Sequence, residues 1–227
     1  MPSVFITGSN RGIGLEFARQ YAAEGWRVFA ACRNPARAAD LEALKGDVHI
    51  HALDIADFDA IDALARKLKS EPIDLLIKNA AVYGADDQSF NDLDYDGWME
   101  TMRVNCMAQV RLAQAFVAHV AKSGLKRMVA LTSRMGSVAD NTSGSYYIYR
   151  TTKAALNAAV KSLAIDLAPR GISVTVIHPG WVATEMGGPG ARLTTEKSVK
   201  EMRKIIDRLG PEHAGRFWSW DGSEIPW

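Results

Sequence analysis

Six short apolar runs recur along the chain: "SVFIT" (3–7), "RVFAA" (27–31), "VHIHAL" (48–53), "DLLIK" (74–78), "RMVALT" (127–132) and "SVTVIH" (173–178). Each is aliphatic or β-branched and bounded by turn formers, which predicts strands. Between them, apolar positions return at helical intervals over 12–24, 57–70, 97–122 and 149–168, which predicts helices with one packed face. Strands that are apolar on both faces and separated by helices imply a parallel sheet covered on both sides. The expected fold is α/β: one domain over 1–227, a Rossmann-type doubly wound parallel sheet. The alternation runs to about residue 208 without a linker, repeat or low-complexity tract. The Gly- and Pro-rich "GGPGARLTT" (187–195) reads as a mobile loop over one end of the sheet, within a lid at about 181–195.

Composition narrows the partners. A hydrophobic fraction of 48% suffices for a core, and a formal charge of +1 gives no global pull toward nucleic acid or anionic membrane. No apolar run approaches the ~18 residues of a membrane span, and "MPSVFITGSN" carries no secretory pattern. Cys32 and Cys106 share no metal-ligand spacing and follow or sit inside apolar stretches, so buried free thiols, rather than a disulfide, and a cytoplasmic setting are expected.

In such sheets ligands bind beyond the carboxyl ends of the strands. After the first strand comes "TGSNRGIG" (7–14), leading into a helix. Gly8 permits a sharp turn, Gly12 close backbone approach, and Gly14 tight contact of helix and sheet; the new helix's amides favour a pyrophosphate. An ordinary glycine-rich turn is the plainer alternative, which the strand–turn–helix context disfavours. Where a free ribose hydroxyl would meet an acid, the second strand ends in Arg33, with Arg11 already in the loop. Two guanidinium groups suit a 2′-phosphate, so NADP(H) is favoured over NAD(H). Asp54 either accepts from an adenine amino group or caps the following helix.

"YIYRTTKAAL" (148–157) holds Tyr149 four residues before Lys153, and Tyr146 and Arg150 repeat the spacing. A lone Tyr-x-x-x-Lys is common by chance. Tyr149, Lys153, Leu156, Val160, Leu163 and Leu167 follow at helical intervals, placing the first pair at the head of a buried stripe.

"TGSNRGIG", "LDIAD", "KNAAV", "RVNCMA", "LTSRMGS", "YRTTK" and "HPGWVATEM" stand in the order and near the spacing of the short-chain dehydrogenases/reductases, and nearly the whole chain resembles that family. The tail and loops look like its small carbonyl-reductase and C-factor-like branch. The resemblance implies a catalytic tetrad of Asn105, Ser133, Tyr149 and Lys153, selecting Tyr149 over Tyr146. Ser133 is selected because it lies three residues before Gly136. Tyr149 would exchange a proton with a carbonyl or alcohol oxygen, made more acidic by Lys153. Ser133 would hold that oxygen, and Asn105 a water joining Lys153 to solvent. A strand-end turn for Ser133 and an internal hydrogen bond for Asn105 are the structural alternatives. The resemblance also implies cofactor contacts from Gly8, Asn10, Arg11, Gly12, Ile13, Gly14, Arg33, Asp54, Ile55, Asn79, Ala80, Ala81, Tyr149, Lys153, Pro179, Gly180, Val182, Thr184 and Met186. Two departures stand out. The family's Asn-Asn-Ala-Gly reads Lys78-Asn79-Ala80-Ala81, and the Ser-to-Tyr interval is lengthened near "DNTSGS" (140–145).

Tyr83, Met135, Asn141, Tyr146, Trp181 and Met186 outline a pocket for a small apolar carbonyl or alcohol substrate. The expected activity is NADP(H)-dependent carbonyl reduction; a cofactor-binding signalling protein on the same fold is the alternative, and an epimerase a weaker one. Apolar residues on 97–122 exceed what one sheet face needs, which points to a homodimer or homotetramer. The tail, with Trp218, Trp220 and Trp227, is expected to fold back on the core or join that contact.

Overall fold

The computed structural model describes all 227 residues. Seven parallel strands form one sheet in the order β3-β2-β1-β4-β5-β6-β7. They are β1 Ser3–Thr7, β2 Arg27–Cys32, β3 Val48–Ala52, β4 Leu75–Lys78, β5 Arg127–Leu131, β6 Ser173–His178 and β7 Phe217–Ser219. Helices α1 Gly12–Ala23, α2 Ala39–Glu42, α3 Phe58–Lys67, α4 Tyr95–Met102, α5 Ala108–Ala121, α6 Tyr147–Leu167 and α7 Thr195–Asp207 connect them. The doubly wound architecture is as the periodicity predicts.

Alternate strand residues feed two cores, as the period of two demands. On one face Phe5, Leu76, Met128 and Ala130 pack with Leu112 and Phe116 of α5 and Leu156 and Val160 of α6. On the other, Val4, Ile6, Ile77 and Val129 pack with Phe17 and Tyr21 of α1 and Met202 and Ile205 of α7. Phe116 is fully buried with its ring 4.6 Å from Phe5; truncating such a ring to alanine costs about 3–5 kcal/mol.

Three elements differ from the sequence reading. The helix expected over 97–122 is α4 and α5 joined by a π-turn, Arg103–Met107, which carries Asn105. A one-residue bulge leaves hydrophobic periodicity nearly unchanged, so the pattern does not reveal it. The tail folds back and supplies β7, whose Phe217, Trp218 and Ser219 pair with Val176, Ile177 and His178. At three residues it is too short to show alternation. The stretch 187–195 is held to the chain around it: Trp181 Nε1 donates to Gly187 O (2.7 Å), and Ala183 N donates to Leu193 O (2.8 Å).

Candidate active site

The strand order reverses between β1 and β4, which opens a crevice beyond their carboxyl ends. The β1–α1 turn forms its floor. Arg11 stands extended before α1 with no side-chain cap, and the helix's first turn holds no acid, so its first amides have no side-chain acceptor. A Cβ on Gly14 would come within 2.1 Å of Gly8 O, and Gly12 has φ +55°, a conformation that favours glycine. Buried Ser9 donates from both N and Oγ to Ala31 O (3.1 and 3.0 Å), tying this cradle to β2. The backbone approach and open amides fit a dinucleotide pyrophosphate.

Asn10, Ile13 and exposed Arg33 surround the cradle, with Ile55 buried beside β3. Arg37, exposed like Arg33, ends the turn Pro35–Arg37 that follows β2. Arg11 pairs with Glu185 of the lid segment, so its guanidinium is already engaged. Asp54 makes a local turn by accepting from Ala56 N (2.9 Å), while Asp57 caps α3 by accepting from Ala60 N (3.0 Å). The capping alternative for Asp54 is thereby corrected.

Beyond β4, Asn79 Nδ2 donates to Thr7 O (2.9 Å) and Gly8 O (3.0 Å), bracing the glycine loop. Ala80 N donates to Thr7 Oγ1 (3.1 Å), and Ala81 is half-buried. Asn105 is wholly buried: Oδ1 accepts from Val82 N (2.9 Å), and Nδ2 donates to Val82 O (2.8 Å) and Thr152 Oγ1 (3.2 Å). Its amide thus pins the β4 loop and α6 together. Both of its N–H groups are spent, so only one Oδ1 lone pair and its own carbonyl remain for a water.

Tyr149 and Lys153 occupy the buried face of α6 one turn apart, with Leu156 and Val160 continuing the stripe; Leu163 and Leu167 are half-buried. Tyr146 precedes the helix in a left-handed conformation (φ 53°) and is exposed, so it is not Tyr149's equivalent. The α6 amides find an acceptor that local sequence does not reveal: buried Gln88 Oε1 accepts from Tyr149 N (2.8 Å). Gln88 lies 61 residues away in the chain. Ser133, at the end of β5, stands beside the phenol. Its loop is clasped to α6 through Asn157, whose Oδ1 accepts from Thr132 Oγ1 (2.7 Å) and whose Nδ2 donates to Gly136 O (3.1 Å).

The electrostatics differ from the expected effect of Lys153. Burial pushes the Tyr149 phenol up to about 12; hydrogen bonding with Ser133 opposes this, and the Tyr83 phenol adds to it. Burial also pulls the Lys153 amine down to about 8. Lys153 Nζ lies 5.7 Å from the Tyr149 ring centre and donates to Leu131 O (3.1 Å), so it does not bond the phenol. Desolvation outweighs any acidifying effect of the amine in this geometry.

Tyr83 packs against Tyr149 (4.8 Å between ring centres) and Tyr146 (6.4 Å), forming one wall. On the far side Pro179 O accepts from Ser198 Oγ (2.6 Å), and Gly180 passes against Trp220. Val182 bridges to Leu193, Thr184 Oγ1 accepts from Gly187 N (3.1 Å), and Met186 and Trp181 are exposed. Asn141 is exposed and accepts from Gly144 N, keeping the lengthened 140–145 loop folded on itself.

A family model for short chain dehydrogenase matches residues 2–192. The chain belongs to that family. C-signal of Myxococcus xanthus is 44% identical over 165 residues, covering 73% of this chain and 99% of that protein. The carbonyl reductase Sniffer of D. melanogaster superposes with TM-score 0.93 at 33% identity, over 100% of both chains. NADPH-bound carbonyl reductase from chicken fatty liver gives 0.92 at 31%, over 100% of this chain and 99% of that one. These likenesses cover the short-chain dehydrogenase fold from the glycine loop to the tail.

Proposed function

We propose that this chain is an NADP(H)-dependent carbonyl reductase with Tyr149 as its acid. The observation that carries the reading is a buried phenol and amine one helical turn apart, beside Ser133. The similarity to an NADPH-bound carbonyl reductase supports both the reaction class and the cofactor. Gly8, Gly12, Gly14 and the first amides of α1 would hold the pyrophosphate. Arg33 and Arg37 would meet the 2′-phosphate. Asn79, Ala80 and Ala81 would flank the ribose, and Pro179, Gly180, Val182, Thr184 and Met186 the nicotinamide.

When bound, the nicotinamide supplies hydride to the carbonyl carbon. Ser133 holds the carbonyl oxygen, and Tyr149 gives that oxygen its proton. With its pKa near 12 the phenol stays protonated through neutral pH, which suits reduction; the reverse reaction would rise steeply as pH increases. Lys153 keeps most of its charge at neutral pH and ties α6 to the end of β5 through the Leu131 carbonyl. Asn105 keeps the Val82 loop and α6 in register while this occurs. Tyr83, Tyr146, Trp181 and Met186 favour a small apolar aldehyde, ketone or quinone.

A panel of such carbonyls with NADPH, followed at the nicotinamide absorbance, tests the reading: turnover of apolar members is expected. Binding of NADPH with no turnover across the panel would instead support the second reading, a cofactor-binding signalling protein, which the likeness to C-signal favours. Exposed Phe90, Tyr95, Met99 and Tyr147 around α4 and α6 support a two-fold contact. Sedimentation at a single protomer's mass would refute that contact.

A further inference from the structure

The turn that leads into α6 holds an unusual backbone. Gly144, Ser145 and Tyr146 stand in succession at φ 64°, 54° and 53°. Left-handed backbone costs glycine little, but side chains resist it, and a run of three is rare. Strain of this kind persists only where neighbouring groups hold it in place. Here the holder is Arg150, in the first turn of α6. Its Nε donates to Gly144 O and Ser145 O (both 3.2 Å), and its Nη2 donates to Ser143 Oγ (2.9 Å). Asn141 Oδ1 accepts from Gly144 N (3.1 Å) within the same loop. The turn ends in Tyr146, whose ring meets Tyr83 edge-on at 6.4 Å. Tyr83 lies 4.8 Å from Tyr149, and its carbonyl accepts from Gln88 Nε2 (3.0 Å). Gln88 Oε1 also accepts from Tyr149 N, so one side chain ties Tyr83 to the head of α6. Burial raises the Tyr83 phenol, Tyr146 adds to the rise and Arg150 opposes it, so the guanidinium is within electrostatic reach of this wall.

We propose that Arg150 is a positioning residue for substrate choice: it holds the 144–146 turn so that Tyr146 stands against Tyr83, and this wall selects carbonyls that carry a flat aromatic ring. The inference rests on the carbonyl-reductase reading of Tyr149. An aromatic aldehyde, ketone or quinone with its oxygen at the Tyr149 phenol sets its ring beside Tyr83 and Tyr146. Aromatic contact of that kind gives about a fivefold preference over a short aliphatic chain. The lengthened Ser-to-Tyr interval supplies the parts, because "DNTSGS" contains Asn141, Ser143, Gly144 and Ser145, each bonded within the clasp.

The test measures kcat/KM with NADPH for benzaldehyde and for propanal in wild type, Arg150→Ala and Tyr146→Ala. The aromatic-to-aliphatic ratio is expected to fall about fivefold in both variants, mainly through KM for benzaldehyde. Adding Ser145→Gly should restore the ratio in Arg150→Ala, because glycine takes the left-handed turn unaided, and should restore nothing in Tyr146→Ala. Chymotrypsin cleavage after Tyr146 and Tyr147, followed by mass spectrometry, reads the turn without turnover. Arg150→Ala should be cut several times faster than wild type, and the added glycine should slow the cut again. A ratio within about twofold of wild type in Arg150→Ala, or a loss that Ser145→Gly leaves untouched, would overturn the inference. Loss of NADPH binding by Arg150→Ala would overturn it too, since that would assign the guanidinium to the fold rather than to the pocket. If wild type reduces neither carbonyl, the functional reading fails separately, and the cleavage rates still decide whether Arg150 holds the turn.

Discussion

Tyr149, Lys153 and Lys78 are three buried ionisable groups, and no carboxylate is a cause of the shift of any of them. The two lysines are pulled down to about 8 by burial, and the phenol is pushed up to about 12. Stability therefore depends on pH with a definite sign. Below about 8 the unfolded and folded chains both carry the lysine protons, so the burial cost is fully present. Between about 8 and 10 the unfolded lysines keep protons the folded ones release, and stability rises with pH. Above about 10 the unfolded tyrosine ionises while Tyr149 does not, and that contribution reverses. Lys78→Met should raise neutral-pH stability by an amount on the order of 3 kcal/mol, from roughly 2.5 units at about 1.4 kcal/mol each. Urea unfolding at pH 7 and pH 9 measures it: the variant's gain should shrink at the higher pH. At this scale the sequence identified Tyr149 and Lys153 through their stripe and motif. It did not reveal the direction of their shifts, because desolvation depends on neighbours drawn from four elements.

Elements carry the site by clasping one another across long stretches of chain. Asn105 rides a π-turn and holds the β4 loop, Asn157 holds the Ser133 loop, and Gln88 caps α6. Gln88→Ala would leave Tyr149 N without its acceptor, costing about 1–2 kcal/mol. A fall in Tm accompanied by a larger loss in kcat than in cofactor affinity is the expected outcome; an unchanged kcat would contradict the role in placing Tyr149. Strands and long helices were legible because burial imposes periods of 2 and 3.6 on the sequence. Gln88 was not legible, since its partner is remote and its surroundings, "ADDQSF", carry no period. The π-turn and three-residue β7 were hidden for the opposite reason: one preserves the pattern and the other is too short to establish one.

Across the whole molecule, the open helix end follows β1, the exposed arginines follow β2 and the aromatic wall joins the segment after β4 to the head of α6. The glycine loop was readable because close backbone approach leaves residue-level marks: a Cβ at Gly14 would meet Gly8 O. Arg11's engagement with Glu185 was not, since it joins segments 174 residues apart. Arg33→Ala should weaken NADPH binding at least tenfold and leave NADH nearly unchanged; equal losses for both would remove Arg33 from 2′-phosphate recognition. The tail strengthens the arrangement: Ser137 Oγ donates to Pro226 O (2.6 Å) and Ala139 N to Trp227 O (3.0 Å), holding the loop after Ser133.

The central claim is proton donation by one phenol. Carbonyl reduction by wild type and Tyr149→Phe, each with its NADPH affinity determined by fluorescence, examines it most directly. The account predicts unchanged nucleotide binding and a fall in kcat of about 10²–10⁴-fold. A variant that binds NADPH normally and turns over within a few-fold of wild type would contradict it.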